Sequence, residues 1–194
     1  MNFYKTAEEL GAIKRYAGIN LKRPESVAEH SYYVILLSLA LVEDYNLRNP
    51  QKTISVEEVM KKATLHDLEE GVLGDIPTPI KKQPGFRASY IAKAKKVMKE
   101  YILQGLAGSI SRNWFGLWER DKDEESGEII KLADRLQAYL TSKREVEAGN
   151  KEMIEVMENI TQDLESAEYQ DLFNKYSLAK NFFKENISSI EAAA

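Results

Sequence analysis

The sequence predicts an all-α protein. Apolar residues recur at three- and four-residue spacing along most of the chain. No stretch alternates apolar and polar residues as a half-buried strand would. Helix-start signals precede the strongest apolar runs. With 194 residues the chain is long enough for one sizeable core and short for two. It holds no repeat and no linker-like composition. One domain is therefore expected over residues 1–188, with 189–194, which end in Glu-Ala-Ala-Ala, as a frayed tail.

The elements follow in chain order. "PESVAEHSYYVILLSLALVEDY" starts with Pro24 near a first turn and carries its acids early. Val27, Val34, Leu37 and Leu41 form a helical stripe, and His30 falls on it. A second helix is expected through "SVEEVMKKATLHDLEEGVLG". Ser55 is its N-cap, with Glu58 three residues later. Val59, Ala63, His66 and Glu70 share one face with Asp67 beside them, and Gly71 and Gly74 loosen its end. Pro77, Pro79, Pro84 and Gly85 mark a loop. A basic helix, "ASYIAKAKKVMKEYILQGL", comes next. Residues 107–127 read as less regular, with Trp114, Phe115 and Trp118 assigned to the core. "GEIIKLADRLQAYLTSKREVEAG" is a strong amphipathic helix with Ile129, Ile130, Ala133, Leu136 and Leu140 inward. Two further helical segments are expected over 152–187.

Composition removes several functions. A net charge of −4 and a pI near 5.4 provide no field for a polyanion, so nucleic acid is not an expected partner. A small anion is still admissible, because a few placed cations hold one phosphate. Without cysteine there is no disulfide and no thiolate zinc site. The first ten residues lack a leader pattern. The longest apolar run, 34–42, is broken by Ser38 and falls far short of the ~20 residues that span a bilayer. The cytoplasm is the default expectation, with no membrane partner.

The chain has only two histidines, each on an apolar helix face and near acid. Asp134 lies on the inward side of a third helix, where a carboxylate needs a partner. Taken singly, each residue has a plain structural reading: a satisfied core histidine, a cap, an ion-pair partner. Taken together, two imidazoles and two carboxylates suit Mn²⁺, Co²⁺, Fe²⁺ or Mg²⁺, with Zn²⁺ also admissible. Spacing alone leaves both readings open.

The flanking words go further. The order His30 … His66-Asp67 … Asp134, set in "RPESVAEHS", "HDLEEGVLGDIPTPIKK" and "KLADRLQAYLTSKREVEAGN", resembles the HD-domain phosphohydrolase superfamily and, within it, the bacterial 5′-deoxynucleotidase group. The resemblance covers 13–150. It implies one helical HD-domain bundle around a single divalent metal, cobalt or manganese foremost, with magnesium, iron or zinc as alternatives. His30, His66, Asp67 and Asp134 match the ligands. The implied reaction is hydrolysis of deoxynucleoside 5′-phosphates or analogues to the nucleoside, with di- and triphosphates as further substrates. Glu70 matches the carboxylate that assists the attacking water, beside the catalytic Asp67. Arg15-Tyr16 matches an Arg-aromatic pair that holds phosphate, with Tyr in place of the usual Trp. The guanidinium fork of Arg15 suits phosphate on chemical grounds as well. His30 borders the substrate, Asp75 would accept from a sugar hydroxyl, and Ile76, Pro77 and Thr78 would line the pocket. Lys81 and Lys82 lie where a longer phosphate chain would reach. Glu69, 100° around the helix, is expected to face water or a neighbouring polar group. Homodimerisation is a family expectation.

Three alternatives accompany this reading. The first is a deoxynucleoside triphosphate triphosphohydrolase. The second is an alarmone 3′-pyrophosphohydrolase, but those enzymes carry Glu-Asp where this chain has Glu70-Gly71. The third is a non-catalytic nucleotide-binding module, against which the retention of every ligand and of Glu70 counts. The cyclic-dinucleotide diesterase branch carries a Gly-Tyr-Pro motif, absent here.

Overall fold

The computed structural model describes residues 3–81, 83–119 and 124–191. Its elements are α1 Phe3–Leu10, α2 Val27–Arg48, α3 Val56–Leu65, α4 Glu70–Leu73, α5 Thr78–Lys81 and α6 Pro84–Val97. A π turn (Met98–Ile102) and a 3₁₀ turn (Leu103–Gly105) then lead to α7 Gly108–Glu119. α8 Glu125–Glu147, a 3₁₀ turn (Lys151–Met153), α9 Ile154–Glu165, α10 Ala167–Lys175 and α11 Ser177–Glu191 complete the chain. Among the described residues no strand occurs; one isolated antiparallel bridge joins Lys14 to Ser26. No described helix is long and apolar enough to cross a membrane. Lys82 and, of the expected tail, residues 192–194 lie outside the described residues.

Two apolar clusters organise the helices. The larger is built by α2, α3 and α8 with α9 to α11 against them, and includes Val34, Leu41, Ala63, Ile129, Ala133, Leu136 and Phe173. The smaller joins α1, the end of α3, α6 and α7 through Leu10, Val27, Leu65, Met98, Leu117 and Trp118. Val27 belongs to one cluster and Val34 to the other, so His30 sits at their seam. His66 does too, flanked by Ala63 on one side and Leu65 on the other.

Several boundaries differ from expectation, each for a local reason. α2 starts at Val27 rather than at Pro24, because Ser26 caps it. Its Oγ accepts the Glu29 N–H at 3.2 Å, and the Glu29 carboxylate accepts the Ser26 N–H at 2.7 Å. The expected helix from Ser55 to Gly74 is two. α3 stops at Leu65, residues 66–69 turn, and α4 resumes at Glu70. The expected loop at 77–85 contains α5 and the first turn of α6, whose Pro84 takes an early helical position where its missing N–H costs nothing. The basic helix therefore begins earlier than expected and ends in the π and 3₁₀ turns. Residues 108–119 are regular helix, and three helices rather than two follow α8.

α4 is held close to α1 by an absence. A Cβ on Gly71 would stand 2.5 Å from both Thr6 Cγ2 and the Thr6 carbonyl oxygen. Glycine therefore lets α1 press directly against the turn that carries Glu70.

A second clamp holds the segment between α1 and α2. The buried Glu145 carboxylate accepts the backbone N–H groups of Lys22 (2.6 Å) and Arg23 (2.9 Å) and the Asn150 amide (3.0 Å). Burial opposes its ionisation. The Asn150 amide and the two backbone donors outweigh it and hold the group below the usual carboxylate range. A depressed carboxylate stabilises the fold above its unfolded pKa of ~4.3, and that contribution is lost as pH falls through the lower folded value. Glu145→Ala leaves two backbone donors without their acceptor. It is expected to cost about 3 kcal/mol in urea unfolding at neutral pH, and a loss under about 0.5 kcal/mol would refute the clamp.

Candidate metal centre and substrate pocket

His30 and His66 present their Nε2 atoms to the same point. His30 Nε2 lies 3.1 Å from Asp134 Oδ1 and 3.5 Å from Asp67 Oδ2, and His66 Nε2 lies 3.1 Å from Asp67 Oδ2. One donor atom each of His30, His66 and Asp134 falls within 4.8 Å of the other two. Ligands about 2.1 Å from one ion stand roughly 3–4 Å from each other, so the spacing fits a shared cation. Both Nε2 atoms are buried without a hydrogen-bond donor or acceptor of their own. Such atoms are costly unless something else satisfies them.

The other ring nitrogens fix the tautomers. His66 Nδ1 lies 2.7 Å from the Ala63 carbonyl oxygen, which only accepts. His30 Nδ1 lies 2.6 Å from Gln137 Oε1. Each Nδ1 therefore carries a hydrogen, which leaves each Nε2 as the atom that takes either a proton or a metal in its place. The groups also make the centre attractive to positive charge. Burial lowers the His66 imidazole, yet the Asp67 carboxylate outweighs it and lifts the group to about 10. Burial raises Asp134, yet His30 draws it down to about 2.

Asp134 departs from expectation in one respect. Its side chain is 46% exposed, so it forms the open wall of the centre rather than part of the core. Solvent reaches the centre from that side.

Glu70 is buried one turn beyond the His-Asp step. Because the helix breaks between them, a turn sets this relation rather than a continuous i+4 face. Burial and the Asp67 charge push its carboxyl up to about 9, and Lys81 opposes them with Nζ 2.5 Å from Glu70 Oε1. Lys81 thus lies on Glu70 and over the Tyr90 ring (5.4 Å). Glu69 does not face water. It is buried, accepting Trp118 Nε1–H at 2.9 Å and the Tyr90 hydroxyl at 3.4 Å. Trp118 is accordingly core on its ring and polar anchor at its nitrogen, while Trp114 and Phe115 pack half-buried against the smaller cluster.

The Lys14–Ser26 bridge, extended by Arg15 N–H to Glu25 O (3.0 Å) and Val27 N–H to Ile13 O (3.0 Å), brings the Arg15-Tyr16 pair beside the start of α2. Arg15 Nη1 donates to Glu25 Oε1 and to Gln137 Oε1, both at 2.9 Å. Its guanidinium lies over the Tyr16 ring at 5.0 Å. Tyr16 has φ +60°, rare for a residue with a Cβ. Its N–H donates to Asp75 Oδ2 (3.1 Å) and its hydroxyl to the Ala138 carbonyl (3.3 Å). Asp75 thus ties the Arg15 loop to the Asp75–Thr78 loop. Gly74, at φ +78°, caps α4 and starts that loop. Asp75, Ile76 and Pro77 are half-buried and Thr78 is exposed.

The sequence reading missed Glu25, Gln137 and Thr141. Gln137 and Thr141 are polar residues at four-residue spacing on the inward face of α8, one turn beyond Asp134. That pattern was the available signal.

Comparison with known proteins gives concordant results. A family model described as 5′-deoxynucleotidase YfbR-like matches residues 2–186. A 5′-deoxynucleotidase of Yersinia pestis (strain Pestoides F) is 30% identical over 164 residues, 84% of this chain and 83% of that protein. Among solved structures, an HD-domain phosphohydrolase from Listeria innocua superposes with TM-score 0.78 at 21% identity, over 99% of this chain and 90% of that one. A cyanophage S-2L HD phosphohydrolase, bound to dA and one catalytic Zn²⁺, matches with TM-score 0.55 at 21% identity, over 91% and 95%. At these identities the two structures bear on the fold alone.

Proposed function

The chain belongs to the 5′-deoxynucleotidase YfbR-like family, and from that premise we propose that it is a metal-dependent phosphohydrolase releasing the 5′-phosphate of deoxynucleoside phosphates. The observation that carries the reading is the convergence of His30, His66 and Asp134 donor atoms within 4.8 Å of one another, with the Asp67 carboxylate against both buried Nε2 atoms. His30, His66, Asp67 and Asp134 would hold a divalent ion, which would supply positive charge to polarise a phosphoryl oxygen and acidify water. A borderline donor set of two nitrogens and two oxygens favours Co²⁺ or Mn²⁺. Zn²⁺ is a further candidate, since the cyanophage protein contains it.

The chain's own residues do the rest. Glu70, ionised once a cation at the centre offsets the Asp67 charge and with Lys81 beside it, takes the proton of the attacking water on a carboxylate oxygen, a role that needs it within reach of the centre. Arg15, anchored by Glu25 and Gln137, holds the phosphate. Asp75 has one oxygen on the Tyr16 N–H and takes a sugar hydroxyl with its carboxylate, while Ile76, Pro77 and Thr78 bound the sugar. Lys81, whose four-carbon stem allows its ammonium to swing, exchanges Glu70 for phosphate and extends the site toward longer phosphate chains.

The test is phosphate release from a panel of deoxynucleoside mono-, di- and triphosphates, with EDTA and after addition of Mn²⁺, Co²⁺ or Zn²⁺. Hydrolysis should vanish with chelator and return with metal. Binding of nucleotide without metal-dependent turnover would leave a non-catalytic module and refute the enzyme.

A further inference from the structure

One side chain lies between the histidine that faces the centre and the arginine that faces the phosphate. Gln137 Oε1 receives His30 Nδ1–H at 2.6 Å and Arg15 Nη1–H at 2.9 Å. Its Nε2 donates to Glu25 Oε2 and to Thr141 Oγ1, both at 3.0 Å, and Thr141 Oγ1 donates in turn to Glu25 Oε2 at 2.9 Å. Resting on the metal-dependent reading above, we propose that Gln137 is a positioning residue that couples the metal ligand His30 to the phosphate-holding Arg15.

The network permits one arrangement. An ionised Glu25 only accepts, so the amide nitrogen of Gln137 must face it. A flipped amide would set its NH₂ against His30 Nδ1–H and the Arg15 guanidinium, and its oxygen against the Glu25 carboxylate. The amide oxygen is therefore fixed toward His30, the hydrogen toward Nδ1, and the lone pair toward Nε2 and the centre. Gln137 is 4% exposed and Glu25 3%, so water does not readily replace either partner. The same oxygen carries Arg15, so one atom sets both the direction of the imidazole and the reach of the guanidinium. Such outer partners of a ligating histidine govern metal affinity by about 10–100-fold.

Cobalt is the probe, with affinity read by titration and geometry by the visible absorption of the complex. Gln137→Leu is expected to weaken Co²⁺ binding about 10–100-fold, to alter the absorption bands and to raise KM for a deoxynucleoside monophosphate. In an Arg15→Ala background the KM effect should largely disappear while the cobalt effect persists, because only one of the two acts through Arg15. The paired exchange Gln137→Glu with Glu25→Gln preserves both an acceptor for His30 and Arg15 and a donor between positions 25 and 137. It should restore cobalt affinity to within about tenfold of wild type. A folded Gln137→Leu protein with wild-type affinity and spectrum would overturn the proposal. Should that variant not fold, the paired exchange decides: a folded exchange protein that has lost affinity beyond tenfold overturns it as well. Failure of the wild-type protein to bind cobalt would remove the metal reading and this inference with it.

Discussion

Asp67→Ala is expected to abolish metal binding and turnover together. Asp67 Oδ2 lies within 3.5 Å of both imidazole nitrogens, so its loss would remove a proposed ligand and the negative charge beside both of them. Metal affinity should fall by more than ~100-fold, beyond what an outer partner costs. Hydrolysis should fall on the order of 10³-fold or more, as expected when transition-state charge loses its main stabiliser. His66→Ala should behave alike. Circular dichroism checks the fold, calorimetric titration with Mn²⁺ or Co²⁺ checks the metal, and phosphate release checks the rate. A folded Asp67→Ala protein with undiminished turnover would refute the metal set.

Glu70→Gln is expected to separate metal binding from chemistry. The substitution keeps shape and leaves an oxygen for the Lys81 ammonium, but removes the proton acceptor. Metal affinity and KM should stay near wild type while kcat falls about 10²–10⁴-fold. A variant that keeps its full rate would take the base role from Glu70. A variant that loses metal as well would place Glu70 among the ligands instead.

The two histidines stood out because the chain has only two; Asp67 and Asp134, two among many acids, were singled out by the words around them. With two histidines in the chain, each beside acid on an apolar face, the sequence offered few alternatives for what converges. The helix break at 66–69 was not legible. Leu65 and Leu68 keep the apolar spacing across it, and periodicity registers phase, not the turn in between. α7 was obscured by Gly108, Ser109, Ser111 and Gly116, poor helix formers; burial of Leu117 and Trp118 against the smaller cluster supports it instead. The pairing of Glu25 with Gln137 was not legible for another reason: the inward polar spacing of Gln137 and Thr141 marks one side of it only, and the partner lies 112 residues away in sequence. Of the two expectations for Glu69, water or a neighbouring polar group, the second holds: α6 and α7 place the Tyr90 hydroxyl and the Trp118 ring nitrogen against it.

Tyr16 carries two demands that pull apart. Its backbone, at φ +60°, is one that glycine adopts freely and a tyrosine holds at a cost of about 1 kcal/mol or more. Its ring lies under the Arg15 guanidinium, and its hydroxyl reaches Ala138. Glycine at this position would relieve the main chain and remove the ring beneath the arginine, leaving Glu25 and Gln137 to hold it. Selection for thermal robustness and selection for catalysis therefore oppose one another at this residue, a trade-off common at strained functional positions.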